Sequence, residues 1–249
     1  MPKINIIIPC FNEASRLPIE QILSFLDQNP DTNICLVNDG SDDATGKVID
    51  DAASKCPGQI KTLHLNKNSG KAEAIRQGML QEASNKDFEW FAYWDADLAT
   101  PLEEINRLVN YADESVKFLM CSRVKRLGAL IDRHPIRHVL GRLMATLISY
   151  VLKLPVYDTQ CGAKLIRSEE IEILFSDEFM TKWLFDVELI ARLQKEYPHD
   201  SPHKDFLEVP VRQWKDIAGS KLKFKHMLIS LVDIVRIHWK YNIGHKTRD

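Results

Sequence analysis

The chain has few cysteines, and their spacing argues against two kinds of fold. The five cysteines are scattered, odd in number and form no C-x-x-C pair. This pattern fits neither a zinc site nor a disulfide framework, so reduced thiols in the cytoplasm are the simpler interpretation. The N-terminus runs straight into an apolar strand pattern and lacks the hydrophobic stretch and cleavage site of a signal peptide.

A charge excess and long apolar runs are also missing. The sequence carries 33 basic and 35 acidic residues, a net charge of -2. Because nucleic-acid-binding proteins normally have a basic excess, this balance argues against nucleic acid as a partner. No apolar run reaches the ~18 uncharged residues expected of a membrane span. We therefore expect a cytoplasmic protein, or one peripheral on the cytoplasmic face of a membrane, that does not cross the bilayer.

Glycine-rich nucleotide loops are absent as well. No G-x-G-x-x-G follows the first apolar run, which argues against a nicotinamide or flavin enzyme. Gly70-Lys71 lacks the earlier glycine and the following Ser or Thr of a Walker-type phosphate loop. A sugar-nucleotide nucleotidyltransferase should also show a Gly-rich loop after its first strand, and the segment from Pro9 to Glu13 is not one.

The first half of the chain alternates short apolar runs with helical patterns. This alternation is typical of βαβ units and predicts an α/β fold with a mainly parallel sheet. We expect the first strand to stop at Pro9. The predicted strands cover 4–8, 34–37, 60–65 and 88–94, and the predicted helices cover 17–26, 45–54, 71–83 and 102–112.

Two apolar helical segments stand out in the second half, 136–154 and 221–241. Both are amphipathic and carry Lys and Arg among their apolar residues. Apolar faces flanked by Lys, Arg, Trp and Tyr suit the bilayer interface. The same faces also suit packing on the sheet, and the sequence leaves both interpretations open.

Asp95-Ala96-Asp97 is the most informative motif. It follows an apolar run, so the two carboxylates emerge where a buried strand reaches solvent. Residues i and i+2 project to the same side of an extended chain, and two such carboxylates repel unless a cation lies between them. Hard divalent cations bind one or two carboxylates plus substrate phosphates, which makes a diphosphate a better leaving group. A solvated turn is the alternative interpretation.

Four further polar residues are candidates for the site, and three of them have two interpretations each. Asp39, in a turn after the second strand, either accepts the imide N–H of a uracil ring or serves the turn alone. Lys71 opens a helix whose N-terminus either attracts a phosphate or is simply capped. Asp186 lies beside two aromatic residues and suits either a general base or an ion-paired helix position. Lys221 ends a Gly-Ser-Lys turn suited to clamping phosphate over a filled site.

These segments, in this order, resemble the family 2 glycosyltransferases, inverting enzymes of GT-A fold, over about residues 4 to 225. Within that family the sequence looks most like the dolichyl-phosphate glucosyltransferase branch. One departure is Asn38, where the motif usually has the first of two adjacent acids. The segments that indicate the branch are Asp158-Thr159-Gln160-Cys161-Gly162 with Lys164, Phe185 to Leu189, and Trp214 with Gly219-Ser220-Lys221.

The resemblance implies a role for each matching position. Positions expected to bind the donor are Pro9, Asn12, Glu13, Asp39, Lys71, Asp95 and Lys221. The implied ligands of a Mg²⁺ or Mn²⁺ ion are Asp97 and Asp95. Positions expected to face the sugar and acceptor are Gln160 and, as catalytic residues, Asp158 and Asp186. Residues 1–249 would form one domain, with a nucleotide-sugar-binding half over 1–115 and an acceptor-binding half over 116–249 that ends in an amphipathic helix.

The function implied by the resemblance is inverting transfer of a hexose. The donor would be a nucleotide-diphosphate sugar, with UDP-glucose as the first expectation, and the acceptor a polyprenyl or dolichyl phosphate at the membrane surface. Two alternatives stay open. One is transfer from GDP-mannose or another UDP-sugar to a saccharide or lipid hydroxyl. The other is a non-catalytic, membrane-associated module that binds a nucleotide sugar.

Overall fold

The computed structural model describes residues 2–132, 135–198, 204–215 and 224–241. Of 135–138 and 224–228 it describes the backbone alone. The expected α/β fold with a mainly parallel sheet is confirmed. Seven strands form one sheet in the order β3-β2-β1-β4-β7-β5-β8, and β6 and β9 form a separate two-stranded sheet. The strands are β1 (Ile4–Cys10), β2 (Thr32–Asn38), β3 (Ile60–His64), β4 (Trp90–Trp94), β5 (Phe118–Ser122), β6 (Leu130–Asp132), β7 (Ala163–Arg167), β8 (Phe206–Pro210) and β9 (Gln213–Lys215).

Strand direction brings many loops to one edge of the large sheet. Strands β1 to β4 are mutually parallel, and β5 is parallel to β8. Strand β7 lies antiparallel between β4 and β5, so β5 runs in the same direction as β4. The carboxyl ends of β1, β2, β4, β5 and β8 and the start of β7 therefore share an edge, which is where open α/β sheets bind ligands.

Helices cover both faces of the large sheet. The helices are α1 (Ile19–Gln28), α2 (Thr45–Lys55), α3 (Lys71–Glu82), α4 (Glu104–Val109), α5 (Pro135–Leu152), α6 (Ile171–Phe175), α7 (Phe185–Glu196) and α8 (Phe224–Tyr241). Apolar residues of α1, α2 and α4 pack into a core on one face, and those of α3, α5, α6, α7 and α8 pack into a core on the other. A strand buried on both faces reads as a continuous apolar run, as in β1.

The expectation that Pro9 stops the first strand is wrong, because β1 continues to Cys10. The Ile4 N–H donates to the carbonyl of Asp31, on the β2 side of β1. Because successive backbone N–H groups of a strand point to opposite sides, the odd-numbered positions of β1 face β4. The ladder between β1 and β4 ends at Ile7. Pro9 lies beyond that ladder, and its missing N–H leaves no ladder bond unmade.

The two amphipathic helices pack into the core through one face and expose apolar side chains on the other, so contact with a bilayer stays a prediction. Their inner residues are buried in the core beneath α7, for example Ile148 of α5 and Ile237 of α8. Their outer faces expose large apolar side chains. The exposed residues are Val139, Leu140, Leu143, Leu147 and Tyr150 on α5, and Ile229, Leu231, Val232, Val235 and Trp239 on α8. Within the described part of the chain, none of the helices combines the length and apolar character needed to span a bilayer.

A buried polar contact fastens α8 to α7. The Tyr241 hydroxyl donates to Glu188 Oε1 at 2.8 Å and accepts from Arg192 Nε at 3.2 Å. Arg192 also donates to Glu188 Oε1 at 3.0 Å and to three backbone carbonyls that precede α7. Glu188 is fully buried and pairs with Arg192, so the charge is compensated within the cluster.

Candidate active site

Two loops at the carboxyl ends of β2 and β3 are bonded to each other through Asp39. One carboxylate oxygen of Asp39 accepts the Ser69 N–H at 2.7 Å and the other accepts the Gly70 N–H at 2.9 Å. Burial raises the pKa of Asp39, and these two bonds partly oppose the rise. Gly40 has φ +60, and a Cβ there would lie 2.3 Å from the carbonyl carbon of Lys67. Asp39 therefore holds the loop that leads into α3, whether or not it also contacts a base.

The segment after β1 is bonded to the same turn. Asn12 adopts a left-handed φ of 55°, a conformation that asparagine tolerates well. Its N–H donates to Ser41 Oγ at 3.0 Å, and its Oδ1 accepts from the Asp42 N–H at 3.0 Å. The Glu13 N–H donates to Thr45 Oγ1 at 2.8 Å. The structure thus brings Pro9, Asn12, Glu13 and Asp39 together in one group of interlocked loops.

Asp95 and Asp97 follow β4, but not in an extended segment. The Leu98 N–H donates to the Asp95 carbonyl at 3.1 Å, which closes a turn, so the premise of an extended i, i+2 pair is wrong. Asp97 Oδ1 accepts the Ala99 N–H at 3.0 Å. Burial and the neighbouring Asp95 raise the pKa of Asp97. The bond from Ala99 and the positive charges of Lys71 and Arg16 only partly oppose this rise. The turn therefore keeps Asp95 close enough to destabilise the negative charge of Asp97.

Lys71, the first residue of α3, reaches across to this turn. Its Nζ lies 2.5 Å from Asp95 Oδ1. Burial alone would lower the pKa of Lys71, but Asp95, Asp186 and Asp97 outweigh it and leave the pKa raised. Lys71 therefore stays charged among three carboxylates at the edge of the sheet.

Gly162 is in direct contact with Asp95. The Asp95 N–H donates to the Gly162 carbonyl at 2.9 Å. A Cβ at position 162 would lie 1.8 Å from Asp95 Oδ2, well inside van der Waals contact. Glycine is thus required here by the position of the Asp95 side chain and not by an unusual backbone angle.

The donor atoms of this turn fit a hard divalent cation. Asp95 and Asp97 offer carboxylate oxygens, the ligands that Mg²⁺ and Mn²⁺ prefer. Among the described residues, no group of three or more His, Cys, Asp or Glu side chains is arranged to hold a metal by itself. Two carboxylates completed by substrate phosphates match a cation that binds together with a diphosphate.

Asp186 lies in the first turn of α7 and is 4% exposed. Its Oδ1 is 2.6 Å from Lys164 Nζ and accepts a bond from the Tyr93 hydroxyl. Gln160 Nε2 donates to Oδ2 at 3.4 Å. The ion-paired interpretation of Asp186 therefore describes the structure, and its role toward a substrate stays a prediction.

Asp158 is paired with Arg123, a residue that the sequence analysis did not single out. Arg123 donates to the two oxygens of Asp158 through Nε at 2.6 Å and Nη2 at 2.8 Å. Glu208 accepts the backbone N–H groups of residues 157 and 158 at 2.7 and 2.8 Å. Arg123 directly follows the buried strand β5 at the same sheet edge as Asp95. Its signal in the sequence is a charged residue directly after an apolar run, the same signal that identified Asp95.

The structure brings together ten of the eleven predicted site residues at one edge of the sheet. The eleventh, Lys221, lies outside the described residues. Trp214 of β9 stacks near Arg123, with the guanidinium carbon 5.2 Å from its ring centre.

The family model for "Glycosyl transferase family 2" matches residues 5–174, more than half of the chain. The chain is a family 2 glycosyltransferase. The matched segment contains the loops after β1, β2 and β4 and the 158–162 loop. The enzyme class expected from the sequence is therefore confirmed.

Curated relatives of this glycosyltransferase cover almost all of its length. A dolichyl-phosphate beta-glucosyltransferase of Trichomonas vaginalis is 31% identical over 96% of this chain and 71% of its own. Enzymes of the same description from Dictyostelium discoideum and Homo sapiens are each 27% identical, over 97% of this chain and 75% and 76% of theirs. The chain is thus similar to these enzymes from end to end of its described fold.

Solved structures place the glycosyltransferase in the GT-A fold. Mannosyl-3-phosphoglycerate synthase from Rubrobacter xylanophilus superposes with a TM-score of 0.71 at 14% identity, over 99% of this chain and 77% of the other. Glucosyl-3-phosphoglycerate synthase from Mycobacterium tuberculosis, solved with Mn²⁺ and UDP, gives 0.64 at 13% identity over 99% and 82%. At these identities the likeness establishes the fold alone.

Proposed function

We propose that this enzyme transfers glucose from UDP-glucose to a polyprenyl phosphate, with inversion at the anomeric carbon. The observation that carries the proposal is the turn after β4. It sets Asp95, Asp97 and Lys71 together within the electrostatic reach of Asp186. The choice of glucose and of a lipid phosphate is supported by the curated relatives, which are described as dolichyl-phosphate beta-glucosyltransferases.

The interlocked loops after β1 and β2 would border the nucleotide. Asp39 is already bonded to the Ser69 and Gly70 N–H groups, so base recognition would use the remaining lone pairs of its carboxylate. Asn38 stands where the motif usually has an acid. Its Oδ1 accepts the Ser41 N–H at 3.0 Å, which supports the turn without adding a second negative charge.

Asp95 and Asp97 would hold the divalent cation, Mg²⁺ or Mn²⁺. Once bound, such a cation neutralises charge on the diphosphate and so improves the leaving group. Lys71 would donate to the diphosphate from the start of α3, where unpaired backbone N–H groups also favour an anion. Lys221, which falls in the undescribed segment 216–223, is also proposed to act on the diphosphate.

Asp158, Gln160 and Asp186 would face the sugar and the acceptor. A phosphate acceptor brings an oxygen that is already ionised near neutral pH, so Asp186 would orient the reactants without abstracting a proton. A hydroxyl acceptor would instead need Asp186 as a base. Asp186→Asn should then reduce the chemical step by on the order of 10²- to 10⁴-fold, whereas transfer to a phosphate should lose no more than the orienting contribution, about 10²-fold.

The exposed apolar faces of α5 and α8 would deliver the enzyme to its lipid acceptor. Large exposed apolar patches mark surfaces that bind membranes or proteins. Trp239 is 80% exposed, with Lys240 beside it, and Tyr150 of α5 is 82% exposed. Aromatic and basic side chains around an apolar face suit the headgroup region of a bilayer. We therefore propose peripheral attachment, at the cytoplasmic face, through this surface.

Co-sedimentation with vesicles containing anionic lipid tests the attachment. We expect the wild-type enzyme to sediment, and Val235→Glu and Trp239→Glu to weaken sedimentation while leaving the melting temperature unchanged. Tyr111→Glu is the matched control, because Tyr111 is an exposed aromatic residue in the turn after α4, and α4 packs on the other face of the sheet from α5 and α8. Equal sedimentation of all four proteins would contradict this role for the surface.

Isothermal titration tests the donor site. UDP-glucose, GDP-mannose and UDP are titrated with and without Mn²⁺ against wild type and Asp97→Ala. The control variant is Asp87→Ala, because Asp87 is exposed and lies before the start of β4, at the other end of the strand from Asp97. We expect metal-dependent binding of the uridine ligands that only Asp97→Ala abolishes, followed by transfer to polyprenyl phosphate. Binding of GDP-mannose instead would replace the glucosyl assignment. Donor binding without hydrolysis or transfer would favour a non-catalytic module, and no binding by any ligand would contradict the proposed donor site.

A further inference from the structure

Lys164 is a fully buried lysine in the middle of the large sheet. It lies on β7, between Tyr93 of β4 and Met120 of β5, and its exposed fraction is 0%. Tyr93, Met120 and Ile166 of the same face all belong to the core beneath α7. Lysine is almost never fully buried unless it is paired, because desolvating an ammonium is costly. Lys164 therefore needs a partner within the core.

The partner of Lys164 is the carboxylate of Asp186. Lys164 Nζ lies 2.6 Å from Asp186 Oδ1 and also donates to the Cys161 carbonyl. The Tyr93 hydroxyl donates to the same Oδ1. Two buried donors on one oxygen fix the rotation of the carboxylate, and the first turn of α7 favours a negative charge at that position. The other oxygen, Oδ2, is left to Gln160, at 3.4 Å, and to the substrate side.

The same sheet offers a comparison pair with no contact to the site. Lys117, directly before β5, lies 2.8 Å from Glu170, whose side chain is fully buried, and stacks on Tyr197 at the opposite end of the strand from the site. Both lysines compensate a buried carboxylate, but only Lys164 does so for a carboxylate that faces the proposed acceptor. Replacing each lysine by methionine separates loss of a buried ion pair from loss of position.

We propose that Lys164 is a positioning residue for the transfer reaction: with Tyr93 it holds Asp186 Oδ1 from behind and so aims Oδ2 at the substrate. This inference rests on the proposed function, because it assigns Asp186 an orienting role there. Removing Lys164 leaves Asp186 in place but without its buried partner, so the carboxylate turns away. Misplacement by about 1 Å is enough to reduce a rate on the order of 10²-fold.

Steady-state transfer from UDP-glucose to a short-chain polyprenyl phosphate, with Mn²⁺ present, gives the first readout. Lys164→Met should lower kcat by about 10²-fold with the donor KM and the dissociation constant of UDP within about threefold. Tyr93→Phe, which removes one hydroxyl, should lower kcat by a smaller factor. Lys117→Met should lower the melting temperature and leave kcat unchanged. The double variant Lys164→Met/Asp186→Asn should be no slower than Asp186→Asn, since Lys164 acts through Asp186.

A thermal melting cycle on the same variants without substrates gives the second readout. Lys164→Met and Asp186→Asn each leave a buried polar partner unpaired, whereas the double variant removes both partners. The melting temperature of the double variant should therefore be higher than the sum of the two single decreases predicts. A folded Lys164→Met enzyme with wild-type kcat, or a double variant far slower than Asp186→Asn, would overturn the proposal. If Lys164→Met does not fold, a Tyr93→Phe enzyme with unchanged kcat overturns it. If wild type transfers nothing to polyprenyl phosphate, the proposed function fails, and an additive melting cycle would separately reject the pairing.

Discussion

Gly162→Ala should disable the Asp95–Asp97 turn without unfolding the protein. The added Cβ would lie 1.8 Å from Asp95 Oδ2 and 2.1 Å from its Cγ, whereas ordinary contact begins at 3.4 Å. The carboxylate must therefore move by about 1.5 Å, and it can do so because the side chain is 40% exposed. The movement breaks its 2.5 Å contact with Lys71 and changes the geometry offered to a cation.

The expected size of the effect follows from this displacement. A shift of roughly 1 Å in a positioned group costs on the order of 10²-fold in rate, so we expect kcat/KM for the donor to fall by about that factor. Stability should fall by only about 1 kcal/mol, at the low end for overpacking, because the clashing atoms belong to a partly exposed side chain. The backbone angle of residue 162 lies outside the left-handed region, so alanine adds no backbone strain.

The assay combines steady-state kinetics with titration of UDP in the presence of Mn²⁺. The matched control is the same substitution in an Asp95→Ala background, where the clashing carboxylate is gone. There Gly162→Ala should change neither UDP binding nor the melting temperature. The reasoning is refuted if Gly162→Ala binds UDP as tightly as wild type, or if it weakens binding equally in both backgrounds.

Three further predictions follow from buried polar contacts. Asp39→Asn offers one acceptor oxygen for the two N–H groups of the 66–70 loop. The free energy of unfolding, measured in urea, should therefore fall by about 1–3 kcal/mol, and UDP should bind more weakly. Burial and its bond to a buried carboxylate raise the pKa of Tyr241 to about 12, from the ordinary tyrosine value of 10.0. The stabilisation from this phenol is present below pH 10 and is lost as pH rises through about 12, so the stability difference from Tyr241→Phe should shrink over that window. Arg123→Lys keeps the charge but loses the paired bonds to Asp158, so kcat/KM should fall about 10-fold, and an unchanged value would remove the pair from the site.

The first half of the fold could be predicted from the sequence because its signals are local. Buried parallel strands read as apolar runs, and the βαβ alternation separates them with helical patterns. The end of a buried strand also marks the sheet edge, which is why Asp39 and Asp95 were expected there. Pro9 was misplaced because its tolerance depends on where the β4 ladder ends, a fact about a strand 80 residues away in the chain.

The second half could be predicted only in part, because its elements depend on contacts between distant segments. Strands β5, β7 and β8 were not predicted, and β7 runs antiparallel between β4 and β5, outside the βαβ alternation. In β7 a charged residue, Lys164, stands where an apolar one is expected, and Asp186 on α7 compensates it. The bond between Arg123 and Asp158 joins the end of β5 to a loop 35 positions later. No spacing rule connects these residues before the sheet is assembled.

The contact between α7 and α8 bears on how this protein is handled in the laboratory. Removing the exposed apolar helix α8 looks like a route to a better-behaved sample. A chain shortened before Tyr241 would, however, take away the hydroxyl that lies between Glu188 and Arg192. These two residues lie on the helix whose first turn carries Asp186. Replacing outward-facing residues such as Val232 and Trp239 with polar ones, while keeping Tyr241, is therefore the safer way to reduce aggregation.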